Sequence, residues 1–219
     1  MMADLFLVRH GETVWHLENR YAGRSDVELS DQGREQARAL ARWAGTARLD
    51  ALWCSELRRS QETALPCAEA SGSELKVDSR LNEVGFGQGE GLTAREMHQR
   101  FPREADAFQA DPVGHPLPGG EDPRAAAGRA VACLSEIAHE HPRGRVLVVT
   151  HNSLVRLALC QILGIPLAEY RRRFPSVRNC YLNQVHVLAG KQAALLQFNA
   201  PLTEGWSSRE GGEVAECPG

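Results

Sequence analysis

Three short apolar runs, each followed by a segment of helical character, restrict the fold of this chain more than any other feature. Leu5 to Val8, in "LFLVRHGETVWH", is continuously apolar and stops at a glycine-containing loop; Leu49 to Cys54 and "RVLVVT" (Arg145 to Thr150) are of the same kind. Unbroken apolar runs of this length fit strands buried on both faces, as in a parallel sheet. Ser30 precedes "DQGREQARALARWA", where Ala37, Leu40, Ala41 and Ala44 recur at helical spacing, so Ser30 is expected to cap a helix. Leu57 to Ala70 and Asp122 to His141 also favour helix, and "NSLVRLALCQILG" reads as a helix capped by Asn152 and ending at Gly164. Strands alternating with helices predict an α/β fold, a three-layer α/β/α sandwich with a mostly parallel central sheet.

Val84 to Gly120 breaks the alternation, being rich in Gly and Pro with one short helix candidate, "TAREMHQRF", and it is expected to form a small cap insertion (84–120) over one end of the sheet. After Gly164 come a basic helix, "LAEYRRRF", and two strand candidates, Leu182 to Leu188 and Ala193 to Phe198. They suit a hairpin at the sheet edge, which leaves a homodimer through that edge open. One domain over residues 1–200 is expected, with 201–219, rich in Gly, Ser and Glu, as a mobile tail.

Bulk properties narrow the partners. The net charge of -3 gives no basic field for nucleic acid. No apolar run approaches the roughly 18 residues of a membrane span, and the N-terminus lacks the basic region and cleavage site of a signal peptide. The cysteines at 54, 67, 133, 160, 180 and 217 form no C-x-x-C pair. They read as reduced thiols of a cytoplasmic protein, and no zinc site is expected. Small-molecule chemistry is what remains.

In open parallel sheets ligands bind beyond the carboxyl ends of the strands. There the three runs deliver Arg9-His10, Arg58-Arg59 in "SELRRSQETA", and His151. Such a cluster suits an anion, and a phosphoryl group above all, because guanidinium forks stabilise charge spread over its oxygens. An imidazole adds the ability to attack phosphorus and hold the group covalently. The alternating glycines at 85, 87, 89 and 91 do not match G-x-G-x-x-G. Neither the C-x5-R loop of thiol phosphatases, a G-x-S-x-G elbow nor a Walker A pattern occurs. His98, His115, His139, His141 and His186 lie in polar or loop contexts and are assigned no chemistry, and Arg171 to Arg173 read as a solvated helix face, with contact to a second anionic group of a substrate as the alternative.

In order along the chain, "VRHGETVW", "RYAGRSDVELSDQGREQA", "SELRRSQETA", "LNEVGFGQGEG", "PGGED" and "VVTHN" resemble the successive signatures of the histidine phosphatase superfamily, the phosphoglycerate mutase-like proteins, on its phosphatase branch. The resemblance implies an α/β/α fold, no metal or other cofactor, and a phosphohistidine intermediate. Residue by residue it makes His10 the nucleophile, Arg9, Arg59 and His151 the phosphoryl pocket, and Glu83 the proton donor. Glu83 would need a raised pKa for that role, supplied by burial or by nearby anions. His16 and Asn152 join the expected substrate contacts.

The chain also departs from the family pattern. His16 stands where an asparagine is usual, Gly89 where a tryptophan is common, Asn152 where a glycine follows the second histidine, and Asp122 where a serine follows Glu121. None of these removes a catalytic group, but together they imply a reshaped pocket. The expected function is a metal-independent phosphomonoesterase, a histidine acid phosphatase-type phosphoric monoester hydrolase acting on a small phosphorylated metabolite. The alternatives are a cofactor-dependent phosphoglycerate mutase and a noncatalytic phospho-ligand binding protein; against the mutase, the "LNEVGFGQGEGL" context resembles the phosphatase branch and lacks the mutase-type "ERHYG" sequence.

Overall fold

In the computed structural model, which describes residues 2–188 and 193–202, the first apolar run lies within strand β1, Met2–Arg9. It is followed by α1 (Asp31–Thr46), β2 (Ala51–Cys54), α2 (Arg58–Ser71), β3 (Leu75–Val77), α3 (Ala94–Arg100) and α4 (Pro102–Ala110). The remainder is α5 (Pro123–Glu140), β4 (Arg145–Thr150), α6 (Asn152–Ile162), α7 (Tyr170–Arg173), β5 (Leu182–Leu188) and β6 (Ala193–Ala200). The sheet order is β3-β2-β4-β1-β5-β6. The first four pair in parallel, while β5 runs antiparallel to both β1 and β6, which makes the expected edge hairpin.

Side-chain alternation explains the apolar runs. Leu5, Leu7, Val146 and Val148 enter one core with Ala126, Ala130, Leu154 and Leu157 of α5 and α6. Phe6, Val8, Leu147 and Val149 enter the opposite core with Leu40 and Trp43 of α1 and Ala64 and Cys67 of α2. The central strands are therefore covered on both faces, in three layers. Each large apolar side chain buried this way contributes about 1.5–3 kcal/mol.

Ser30 caps α1 as expected, its hydroxyl accepting from the Gly33 N–H at 3.0 Å. Asn152 does not cap α6. The N-cap is His151, in extended conformation, and Asn152 is the first helical residue. The cause is Glu83, whose carboxylate accepts from the N–H groups of Ser153 at 2.9 Å and Leu154 at 3.0 Å and so does the capping from outside the helix. Helix α6 ends at Ile162, and Gly164, at φ +68°, turns the chain away just beyond it.

Two elements lie outside the sequence reading: β3, too short for a periodicity to register, and α4. Pro102 occupies the first turn of α4, where the missing N–H costs nothing, after a break at Phe101 (φ -145°, ψ 71°). The basic stretch "LAEYRRRF" is reduced to one 3-10 turn followed by α7. Residues 84–120 do not sit apart: Val84, Phe86, Leu92, Met97, Phe108 and Leu117 all join the α5/α6 core. Leu117 and Met97 fill the space at Gly89, where an added Cβ would stand 2.4 Å from Leu117 Cδ1. The segment read as a mobile tail lies, beyond Leu202, outside the described residues, as does Cys217. Cys54, Cys67, Cys133, Cys160 and Cys180 are unpaired and buried, and burial pushes the Cys54, Cys67 and Cys133 thiols up to about 12. No helix among the described residues is long and apolar enough to cross a membrane.

Arg129 of α5 ties this segment to the site. It binds both carboxylate oxygens of Glu121, at 2.8 and 2.9 Å, and donates to the carbonyls of Arg80, Asn82 and Glu83 at 2.7, 2.7 and 3.1 Å. Arg129→Met strands these acceptors, so urea denaturation should show a loss of about 3 kcal/mol. An unchanged midpoint would mean that water replaces the guanidinium without cost.

Candidate active site

Strand register creates the site. Parallel pairing sets Arg9 of β1 opposite Thr150 of β4, so the next residues, His10 and His151, leave neighbouring strands at the same level. Their ring centroids are 5.1 Å apart. Cys54 of β2 pairs with Val149, so Ser55 emerges beside them, its hydroxyl 2.7 Å from His151 Nε2. Arg59 comes from the first turn of α2, and Glu83 from the loop after β3.

The tautomer of His10 follows from its partners. Nδ1 lies 2.7 Å from the Gly11 carbonyl, which can only accept, so Nδ1 carries the proton and Nε2 presents its lone pair. Arg59 Nε–H points at that lone pair from 3.2 Å. The rest of the Arg59 guanidinium is braced by the carbonyls of Ser25 at 2.8 Å and Gly23 at 2.6 Å. Burial, then the charge of Arg59, holds the His10 pKa well below its ordinary value. The ring is therefore neutral and nucleophilic at physiological pH.

Arg9 donates to the Val177 carbonyl at 2.9 Å and touches His16 Nε2 with its other terminal nitrogen; burial lowers its pKa to about 10. His16 Nδ1 lies 3.0 Å from the Thr13 nitrogen and 2.8 Å from the Thr13 Oγ1, and burial followed by Arg9 holds its pKa at about 4. A guanidinium can only donate, so the Arg9 contact makes Nε2 the acceptor and leaves the Nδ1 proton to the Thr13 hydroxyl. Glu83 is buried, and its Oε1 accepts from the N–H groups of Val84 at 2.9 Å and Leu154, its Oε2 from Ser153.

These groups face a cavity of about 520 Å³ lined by Arg9, His10, His16, Arg59, Glu83 and Asn152 among others. His151 is brought to His10 but is fully buried and is not one of the lining residues; its Nδ1 has no partner among the described residues. The sequence reading missed Ser55, Tyr21 and Arg156, and it discounted Arg171, which also lines the cavity. For Arg156 a signal existed, a lone cation inside the apolar "LVRLALC". Among the described residues, no group of three or more His, Cys, Asp or Glu stands together to hold a metal ion; arginines supply the positive charge.

Three depressed histidines make stability depend on pH. Below 6.5 the unfolded chain takes up protons that His10, His151 and, down to about 4, His16 refuse when folded. Stability should therefore fall as pH drops below 6.5, by up to about 1.4 kcal/mol per pH unit for each ring. Urea midpoints measured from pH 7 to pH 4.5 should show this, with a shallower slope in His16→Asn. Equal slopes in the two proteins would contradict the His16 assignment.

A family model described as the histidine phosphatase superfamily (branch 1) matches residues 5–200. Phosphoserine phosphatase 1 of Hydrogenobacter thermophilus is 32% identical over 169 residues, 77% of this chain and 80% of that protein. A probable phosphoglycerate mutase GpmB of Enterobacter is 29% identical over 218 residues, 98% and 94% of the two chains. Among solved structures, a mycobacterial glucosyl-3-phosphoglycerate phosphatase superposes with a TM-score of 0.83 at 27% identity, covering 92% of this chain and 100% of its own.

Proposed function

Because the chain belongs to branch 1 of the histidine phosphatase superfamily, we propose that it is a cytoplasmic, metal-independent phosphomonoesterase that hydrolyses a small phosphorylated metabolite through a phosphohistidine on His10. The observation that carries this reading is the His10 tautomer. Its Nδ1–H is committed to Gly11, and its Nε2 is left as a nucleophile facing the cavity between Arg9 and Arg59. The five unpaired, buried thiols support the cytoplasmic placement.

In the first step His10 Nε2 forms a bond to phosphorus as the bond to the leaving oxygen breaks, and Glu83 delivers a proton to that oxygen. Arg59 and Arg9 neutralise the phosphoryl oxygens, and their preorganisation lowers the barrier. In the second step a water attacks phosphorus and the N–P bond breaks; Glu83 takes up the water's proton and free phosphate leaves. The backbone N–H groups hold the Glu83 side chain at the cavity wall in both steps; Oε1 accepts from Val84 and Leu154, so Oε2, which accepts from Ser153 alone, is the oxygen that carries the proton.

A mutase would return the phosphoryl group to a reoriented organic molecule. A panel of phosphomonoesters assayed with EDTA, including 3-phosphoglycerate with a trace of 2,3-bisphosphoglycerate, separates the readings. Release of inorganic phosphate is expected. Isomerisation without release would favour the mutase, and no turnover of any ester would favour a noncatalytic binding protein.

A further inference from the structure

Beyond the phosphoryl pocket the cavity has a second cationic wall, made by Arg156 of α6 and Arg171 of α7. Both guanidiniums lie against the Tyr170 ring, at 5.0 and 5.6 Å from its centroid. Arg171 also covers Phe108 at 4.7 Å, and its Nε donates to the Tyr170 hydroxyl at 3.0 Å. Aromatic stacking fixes the planes of the two forks without neutralising them.

Neither arginine has a carboxylate partner among the described residues, whereas the adjacent Arg172 and Arg173 both pair with Glu169. Arg156 is only 7% exposed, and its hydrogen bonds go to carbonyls, Asn152 at 3.2 Å and Phe174 and Pro175 at 3.4 Å. Burial pushes its pKa down, as expected for a cation that lacks its counter-ion. Of the residues lining the cavity, Glu83 alone carries a carboxylate, and it belongs to the first pocket. An uncompensated buried cation is costly, and a bound anion removes that cost. Arg156 lies four residues beyond Asn152 on the same face of α6, about 6 Å further along the axis, and both line the same cavity.

We infer that Arg156 and Arg171 form a second anion subsite, which binds a carboxylate or a further phosphoryl group carried on the leaving-group side of the substrate. This rests on the phosphatase reading above and narrows it, from phosphomonoesters in general to small ones bearing a second oxyanion.

The test compares kcat/KM for 3-phosphoglycerate, glycerol 1,3-bisphosphate and glycerol 3-phosphate, which differ in the group at the far end. The wild-type protein should prefer at least one of the doubly anionic esters to glycerol 3-phosphate by roughly tenfold or more, as a charged hydrogen bond implies; which of the two leads identifies the second anion. Arg156 is buried and its removal endangers the fold, so Arg171→Gln carries the test, with Arg171→Lys as the conservative variant. Taken as a ratio within each protein, so that any inactive fraction cancels, the preference should fall about fivefold or more in Arg171→Gln and partly return in Arg171→Lys. Equal rates for all three esters in the wild type, or an unchanged ratio in Arg171→Gln, overturns the subsite. If none of the esters is turned over, the phosphatase reading fails separately, and titration calorimetry with the same three compounds reads the subsite: equal affinities overturn it, and tighter binding of a doubly anionic compound, lost in Arg171→Gln, supports it.

Discussion

Replacing His10 by alanine is expected to lower kcat/KM by at least about 10⁴-fold, the scale on which loss of a covalent nucleophile is felt. The substitution removes the Nε2 lone pair that Gly11 and Arg59 orient, and His16, which also lines the cavity, has its ring nitrogens engaged by Arg9 and Thr13. His151 is close, with its ring 5.1 Å away, but it is fully buried and tied through Nε2 to Ser55. Arg9 and Arg59 remain in His10→Ala, so an inert oxyanion such as vanadate should still bind. Stopped-flow or endpoint phosphate assays check the first statement and calorimetry the second. Near-wild-type turnover in a folded His10→Ala would remove the covalent step from the account.

Arg59→Ala should reduce kcat/KM by about 10²–10³-fold and also destabilise the fold. Arg59 is completely buried, and burial pushes its pKa down. Its terminal nitrogens hold the carbonyls of Gly23 and Ser25, while its Nε–H faces His10. Alanine leaves two carbonyls unpaired and a cavity where a long side chain stood, for a loss of about 4 kcal/mol. Arg59→Lys keeps the charge but cannot reach all three partners, so it should recover only part of either quantity. Denaturation midpoints and kinetics on the same preparations separate the two effects. A variant that loses activity with unchanged stability would show that the bracing bonds contribute little.

Much of this site was legible in the strand ends. Apolar runs mark strands covered on both faces, and the residues after them fall at the sheet's carboxyl edge; that places Arg9, His10 and His151 near one another before any coordinates. Choosing Arg59 over Arg58 came from the family resemblance, and the physical reason lies in helix geometry. Successive residues of a helix point about 100° apart, so Arg58 faces Glu28 and Glu62 at the surface while Arg59 turns inward. Register was not legible: nothing in the sequence says that Arg9 meets Thr150, which decides how close His10 and His151 come. The Asn152 cap failed because a residue distant in sequence, Glu83, supplies the acceptor. Arg171 read as one of three surface cations, and only the Phe108 and Tyr170 rings, brought together by packing, distinguish it from Arg172 and Arg173.

The central claim is that phosphorus becomes bonded to the Nε2 atom of His10. Rapid-quench mixing with a turned-over phosphoester, followed by mass spectrometry of the quenched protein, tests it most directly. The account expects a single phosphoryl adduct on the peptide that contains residue 10, labile in acid, stable in base and absent from His10→Ala. An adduct on another residue, or turnover with no adduct within the first millisecond-scale cycle, would contradict it.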